Sequence, residues 1–287
     1  MDAFFTADGD FYVPSDLTRG PWGLTMGGQI VGGLLGWALD RHGDDELQPA
    51  RLTVDLLRPV PIEPVTIETS IQREGRRIKL VDAAMRQQGR VVARASALFL
   101  RRGTAPEGEV WSGPVTMPPL PANAGPPDAN VPFEIWTYNS ESDTGTSGMP
   151  PPEWEKPGVQ KFAWGRLFRP MVAGYPLTPF TRAAFAGDII SSLTHWSTAG
   201  LLYINADYTV AISRLPEGEY IGLAAQSYYG TDGVGSGSAT MFDGTGPIGT
   251  GTALALGQPP GAFQHQPSLA KASLRHRSGE GRQFNST

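Results

Sequence analysis

Between Pro179 and Trp196, the residues Asp188, Ser191, Ser192 and His195 recur at spacings of three, four and seven. On a helix that spacing puts them on one face. Phe185, Ile189, Leu193 and Trp196 form the neighbouring apolar face. Asp188 would then sit at the margin of a core, where loss of water raises a carboxyl pKa. A carboxylate that titrates near neutrality can orient a water molecule and take its proton. The bland alternative is a solvated helix aspartate, or one bonded to nearby backbone. His195 titrates near neutral pH in its ordinary state; here it is read as a wall or packing residue.

A second candidate group is Gly27-Gly28-Gln29, which opens an apolar run from Ile30 to Leu39. Free amides at a helix start can bind an anion or polarise a carbonyl, and glycine admits a ligand close to the backbone. A simple helix entry explains the glycines equally well. Gln29 could bond a substrate or satisfy backbone at the core edge. Other chemistries lack their motifs. There is no Gly-x-Ser-x-Gly elbow, no Walker loop and no His-Glu-x-x-His helix. Gly230 to Gly237 is glycine-rich, but it lies between two strand patterns and opens no helix, so a dinucleotide site is not expected there.

The elements that must position these residues follow from periodicity. Ile30 to Leu39 has the length of a buried helix, and its internal glycines imply close packing, expected against a sheet. Strand patterns follow at 51–60, 65–71, 78–85 and 90–100, with Gln88-Gly89 as a hairpin turn. A second helix spans 179–196, with strands at 203–213, 220–229, 235–242 and 247–256. The two regions repeat. Leu52 and Tyr208, Met85 and Met241, and Ala97 and Ala253 are each 156 positions apart. The order helix then strands, twice, is an α+β arrangement. The expected organisation is 1–102 and 160–257 as the two regular units, 103–159 as a Pro/Gly-rich linker and 258–287 as a disordered tail.

Composition narrows the rest. The chain has 287 residues, 40% of them apolar, and a net charge of −5 with mixed signs. That argues against nucleic acid as a partner. With no cysteine, disulfides and thiolate chemistry are excluded. No apolar run is long enough for a membrane span and the N-terminus has no basic signal region, so a soluble cytoplasmic protein is expected, with no metal and no cofactor.

The run Gly27-Gly28-Gln29-Ile30-Val31-Gly32, a later strand closing on Arg58-Pro59, Gly187-Asp188, and Asn205-Ala206-Asp207-Tyr208-Thr209-Val210 resemble the acyl-CoA thioesterase II family. The resemblance implies a double hotdog: two tandem units, each a long central helix wrapped by an antiparallel sheet, the sheets joining into one. It implies acyl-CoA as substrate, hydrolysed to fatty acid and CoA in lipid metabolism, and a homodimer or higher homo-oligomer. In that family an Asp, a Thr or Ser, and a Gln hold the attacking water. Asp188 matches the aspartate and Asn205 stands at the hydroxyl position. Ala253 stands at the glutamine position, with Thr250 and Thr252 as substitutes if the register is shifted. Gly27, Gly28 and Gln29 would meet the substrate. Arg76, Arg77 and Lys79 could meet the phosphates of CoA, or form an ordinary solvated turn. Arg58 and Arg214, which occupy equivalent repeat positions, are read as structural, paired with carboxylates at the interface of the halves. Trp22, Trp37, Phe162, Trp164, Phe185 and Trp196 are candidates for pocket depth. The Ala253 departure motivates the alternative of a non-hydrolytic acyl-binding or scaffold protein on the same fold.

Overall fold

The computed structural model describes residues 2–44, 46–122, 124–142, 145–147 and 151–259. The strands β1 (Phe5–Asp8) and β2 (Phe11–Pro14) precede helix α1 (Gly28–Asp40). Then come β3 (Leu47–Leu56), β4 (Thr66–Glu74), β5 (Ile78–Gln87) and β6 (Arg90–Arg101). The segment 103–159 contains β7 (Glu134–Asn139) and β8 (Thr146–Ser147), and β9 (Lys161–Arg166) follows. Helix α2 (Pro179–His195) leads through the short β10 (Trp196–Ser197) and β11 (Gly200–Leu201) to four strands. These are β12 (Tyr203–Ile212), β13 (Tyr220–Thr231), β14 (Val234–Asp243) and β15 (Gly246–Gly257). The tail expected at 258–287 lies outside the described residues from position 260 on.

Among the described residues, eleven strands form one sheet in the order β4-β5-β6-β3-β12-β15-β14-β13-β9-β7-β8. The 156-residue repeat is written into its register. Val81 pairs with Ala97 as Gly237 pairs with Ala253, and Leu52 pairs with Ala97 as Tyr208 pairs with Ala253. Irregularities repeat too. The pairing of β3 shifts between Pro49 and Arg51, and that of β12 between Asn205 and Asp207. A bulge is a specific local device, so its recurrence at the same offset is stronger than residue similarity. The sequence showed no strand in 103–159. There β7 pairs with β9 and extends the sheet edge, held by Arg166, which donates to Glu134 and to the Gly125 carbonyl.

Helix α2 starts cleanly. The Thr178 hydroxyl accepts from the Thr181 amide at 3.0 Å, and Pro179 takes the first turn, where its missing N–H costs nothing. Helix α1 buries Ile30, Leu34, Leu35 and Leu39 almost completely. Its glycines, expected to admit a sheet, admit both the sheet, through Tyr208 of β12, and helix α2. A Cβ on Gly36 would lie 2.4 Å from the Ala184 Cβ, and one on Gly32 would strike the Tyr208 hydroxyl. At the far end of α1, Asp40 meets the Thr178 side chain. The N-terminal strand ties the halves together. The amides of Phe4 and Phe5 donate to the carbonyls of Pro170 and Met171, and both rings are fully buried.

Candidate functional site

The N-terminus of α1 meets the middle of α2 at Asp188. This carboxyl is buried, and its Oδ1 accepts a hydrogen bond from Asn205 Nδ2 at 2.6 Å. The Gln29 backbone N–H donates to the same carboxyl. Gly28 lies so near that a Cβ there would stand 2.3 Å from Oδ1. Burial raises the Asp188 pKa to about 6, against the opposing pull of the Asn205 and Gln29 bonds. A carboxyl that titrates there is a base at neutral pH, and two donors fix its orientation.

Asn205 reaches Asp188 because of the bulge at Ala206. Strict alternation would put Asn205 and Tyr208 on opposite faces. The extra residue in β12 turns both toward the helices: Tyr208 donates to the Ala184 carbonyl at 2.7 Å. Asp207 closes the bulge by accepting from the Leu254 amide at 2.9 Å. Burial and the negative Asp188 keep the Tyr208 phenol far above its ordinary pKa, so it stays a neutral donor. Sequence reasoning assigned Tyr208 no role at the site. Only the tertiary contact reveals it.

The other site candidates divide. Gly27 does not offer a free amide, because it donates to the Thr18 carbonyl at 3.0 Å, the bond that anchors the helix entry. The Gln29 side chain folds back over Gly27, and it is the Gln29 backbone that serves Asp188. Thr250 and Thr252 are exposed on the outer face of β15, opposite Ala211 and Thr209, so neither reaches the site. The strand pleat turns them out when Gly251, Ala253 and Ala255 turn in. The residue across from Asn205 is Ala255, while Ala253 lies across from Tyr208. The inward side chains of β15 near the site are therefore small and apolar.

Arg76 and Arg77 are exposed on the β4–β5 turn, and Lys79 pairs with Glu74 at 3.2 Å. Two strands, β6 and β3, separate β5 from the strand of Asn205, and the turn lies at the opposite end of the strands. Arg214 is paired as expected, gripping Asp243 with both terminal nitrogens, but it does so within the second half. Of the aromatic candidates, Phe162 and Trp164 belong to a separate small cluster with Tyr138 and Phe242, because β9 turns those side chains away from α2. Trp37 packs on Tyr12 and Tyr175.

Past Asp188, the last turns of α2 carry Ser191 and His195, both buried. His195 Nδ1 lies 2.9 Å from the Ser191 carbonyl and so carries a proton, while Nε2 faces the Gly235 backbone without a well-directed bond. Burial lowers the His195 pKa, and the nearby Lys161 lowers it further. Among the described residues no cluster of His, Asp or Glu could hold a metal ion, and no helix is long and apolar enough to cross a membrane.

Two family models match the chain: the acyl-CoA thioesterase N-terminal domain over residues 18–100 and the acyl-CoA thioesterase C-terminal domain over 114–256. Solved structures share the fold. A TesB protein of Mycobacterium avium subspecies paratuberculosis superposes with a TM-score of 0.64 at 17% identity, covering 89% of this chain and 96% of its own. The acyl-CoA thioesterase II TesB2 of Mycobacterium marinum gives 0.58 at 16%, over 91% and 96%. A hot dog fold protein of unknown function from Alicyclobacillus acidocaldarius gives 0.59 at 19%, over 89% and 96%. No protein of curated function matches the chain in sequence.

Proposed function

The chain belongs to the acyl-CoA thioesterase II-like family and has a hotdog thioesterase fold, and from that premise we propose that it hydrolyses acyl-CoA with a water held by Asp188. The observation that carries the reading is the buried Asp188 carboxyl, fixed by Asn205 and by the Gln29 amide, with a pKa of about 6. One carboxylate oxygen is committed to Asn205, and the remaining lone pairs are available to a water. That water attacks the thioester carbonyl carbon and its proton passes to Asp188; the C–S bond then breaks and Asp188 returns the proton to the departing sulfur, giving the carboxylic acid and the CoA thiol. The N-terminus of α1 is the nearest source of partial positive charge for the carbonyl oxygen.

The same proposal assigns the architecture. Residues 1–102 and 160–257 form tandem hotdog units, each with its own helix, joined through β3 and β12. Support comes from the shared register and the repeated bulge. The 103–159 segment connects them and lends β7 to the second unit's edge. The site is single. At the position related to Asp188 by the repeat stands Gly32, and Pro49 stands for Asn205. The Tyr208 hydroxyl occupies the space beside Gly32.

The test is turnover of a panel of acyl-CoAs, followed by thiol release, for the natural chain and for Asp188→Asn. The expected loss in kcat is about 10²- to 10⁴-fold. No release above the Asp188→Asn background at any chain length would remove the hydrolytic reading. Acyl-CoA binding without release would leave a binding protein in its place.

A further inference from the structure

Gly28, Gly32 and Gly36 recur every fourth residue along one face of α1. Each stands against a different atom. A Cβ on Gly28 would meet the Asp188 carboxyl, one on Gly32 the Tyr208 hydroxyl, and one on Gly36 the Ala184 Cβ. Four helical residues rise about 6 Å, so the Tyr208 hydroxyl is the middle of three supports, one turn from the carboxyl. With no side chain at these positions, the α1 backbone itself rests on those atoms.

The same hydroxyl bears on α2. It donates to the Ala184 carbonyl at 2.7 Å. In an α-helix that carbonyl also accepts from the amide four residues on, which belongs to Asp188. A carbonyl oxygen has two lone pairs and can serve both donors. The Tyr208 ring lies against the residue before Asp188, since a Cβ on Gly187 would stand 2.6 Å from its Cε2. Tyr208 is fully buried. One side chain thus grips both helices, one turn from the site on each.

The repeat shows that the fold does not demand this hydroxyl. Leu52 stands at the position related to Tyr208 and is as completely buried. It meets α1 with a methyl, its Cδ2 3.6 Å from the place of a Cβ on Gly36. Hydrocarbon therefore suffices for a strand to support this helix pair. The hydroxyl stands in the half whose helix carries the carboxyl.

We infer that Tyr208 is a positioning residue for the reaction, its hydroxyl fixing the separation of α1 and α2 so that the Gln29 amide stays on Asp188. The inference rests on the hydrolytic site proposed above. Tyr208 acts through the helices, since its hydroxyl is committed to Ala184. Without it, α1 loses its middle support and shifts, and the Gln29 N–H turns away from the carboxyl. A carboxylate that loses a donor holds its proton more tightly.

The experiment uses Tyr208→Phe, which keeps the ring, and Gly32→Ala, which displaces the hydroxyl while leaving Tyr208 in place. Steady-state kinetics with acyl-CoAs are measured across pH. The Asp188 carboxyl is also titrated directly by carbon NMR on aspartate-labelled protein, its signal identified by its absence in Asp188→Asn. Circular dichroism confirms that each variant is folded. Both are expected to lose kcat by about tenfold or more with KM little changed. The acid limb of kcat/KM and the Asp188 titration should both move upward in pH. An unmoved limb and titration in either folded variant overturns the positioning role and leaves the hydrolytic site standing, even where kcat falls, because general loosening of a core would not shift them together. If the natural chain shows no turnover, the titration decides. A shift in both variants then keeps the role of Tyr208 in holding the carboxyl and removes hydrolysis, and no shift overturns both.

Discussion

Thr53 Oγ1 and Thr209 Oγ1 lie 2.9 Å apart across the β3–β12 junction, and the two residues are counterparts in the 156-residue repeat. Leu52 faces Val210 and Val54 faces Tyr208 on either side, so an approximate two-fold axis passes through the threonine pair. Replacing both by valine is expected to show a coupling of about 1 kcal/mol or less in a double-mutant cycle. Denaturant unfolding should remain one cooperative transition, because both halves share one sheet. Two separated transitions would mean that the junction does not couple them.

The raised Asp188 pKa ties activity and stability to pH with opposite signs. The base works only when deprotonated, so kcat/KM should rise through about pH 6 and then level off. The folded state holds this proton more tightly than the unfolded chain. Stability contributed by Asp188 is therefore complete at acid pH and is lost as pH rises from the ordinary carboxyl range through about 6. Asp188→Asn removes the cost of the buried charge. At pH 8 it should stabilise the protein, by roughly 3 kcal/mol at most if the full shift is relieved. Chemical unfolding of both proteins at pH 5 and pH 8 checks the sign; a variant less stable at pH 8 contradicts it.

Gly28→Ala separates helix propensity from site geometry. In an exposed helix the change would stabilise by about 0.5–1 kcal/mol. Here the new methyl would stand 2.3 Å from Asp188 Oδ1, so the carboxyl must move away from Gln29 and Asn205. The expected outcome is a loss of kcat of about tenfold or more, since misplacing a catalytic group by about 1 Å costs as much as a hundredfold. Steady-state kinetics decide it, and unchanged kcat would show that Asp188 tolerates displacement.

Deleting Ala206 tests the bulge. Without the extra residue, Asn205 returns to the outer face and its bond to Asp188 is lost. Turnover should fall to the level of Asn205→Ala while the strand stays paired, as read by circular dichroism and thermal unfolding. Deletion with full activity would mean that Asn205 does not hold the base.

Much of the fold is legible in the residues. Both helices and all eight long strands of the repeat follow from periodicity, and their observed ends lie within a few positions of the pattern. The Gln88-Gly89 turn is readable because both residues take positive φ, as a tight hairpin requires. Strand β7 was not legible, since its neighbours are proline- and glycine-rich and its register depends on β9. Thr250 and Thr252 could not be placed, because one residue of register decides which face a strand side chain occupies.

By itself the sequence determined the order of the two helices and eight long strands, the repeat and the presence of a carboxyl on the face of α2, because these depend on local pattern and constant spacing. Tertiary structure alone decided that Gly28 and the Gln29 amide reach that carboxyl. It also decided that Asn205 points inward against simple alternation, and that His195 packs on two tyrosines. Each of these is a contact between segments distant in the chain, set by helix crossing and strand register. No window of residues encodes such a contact, since it exists only once both partners are packed.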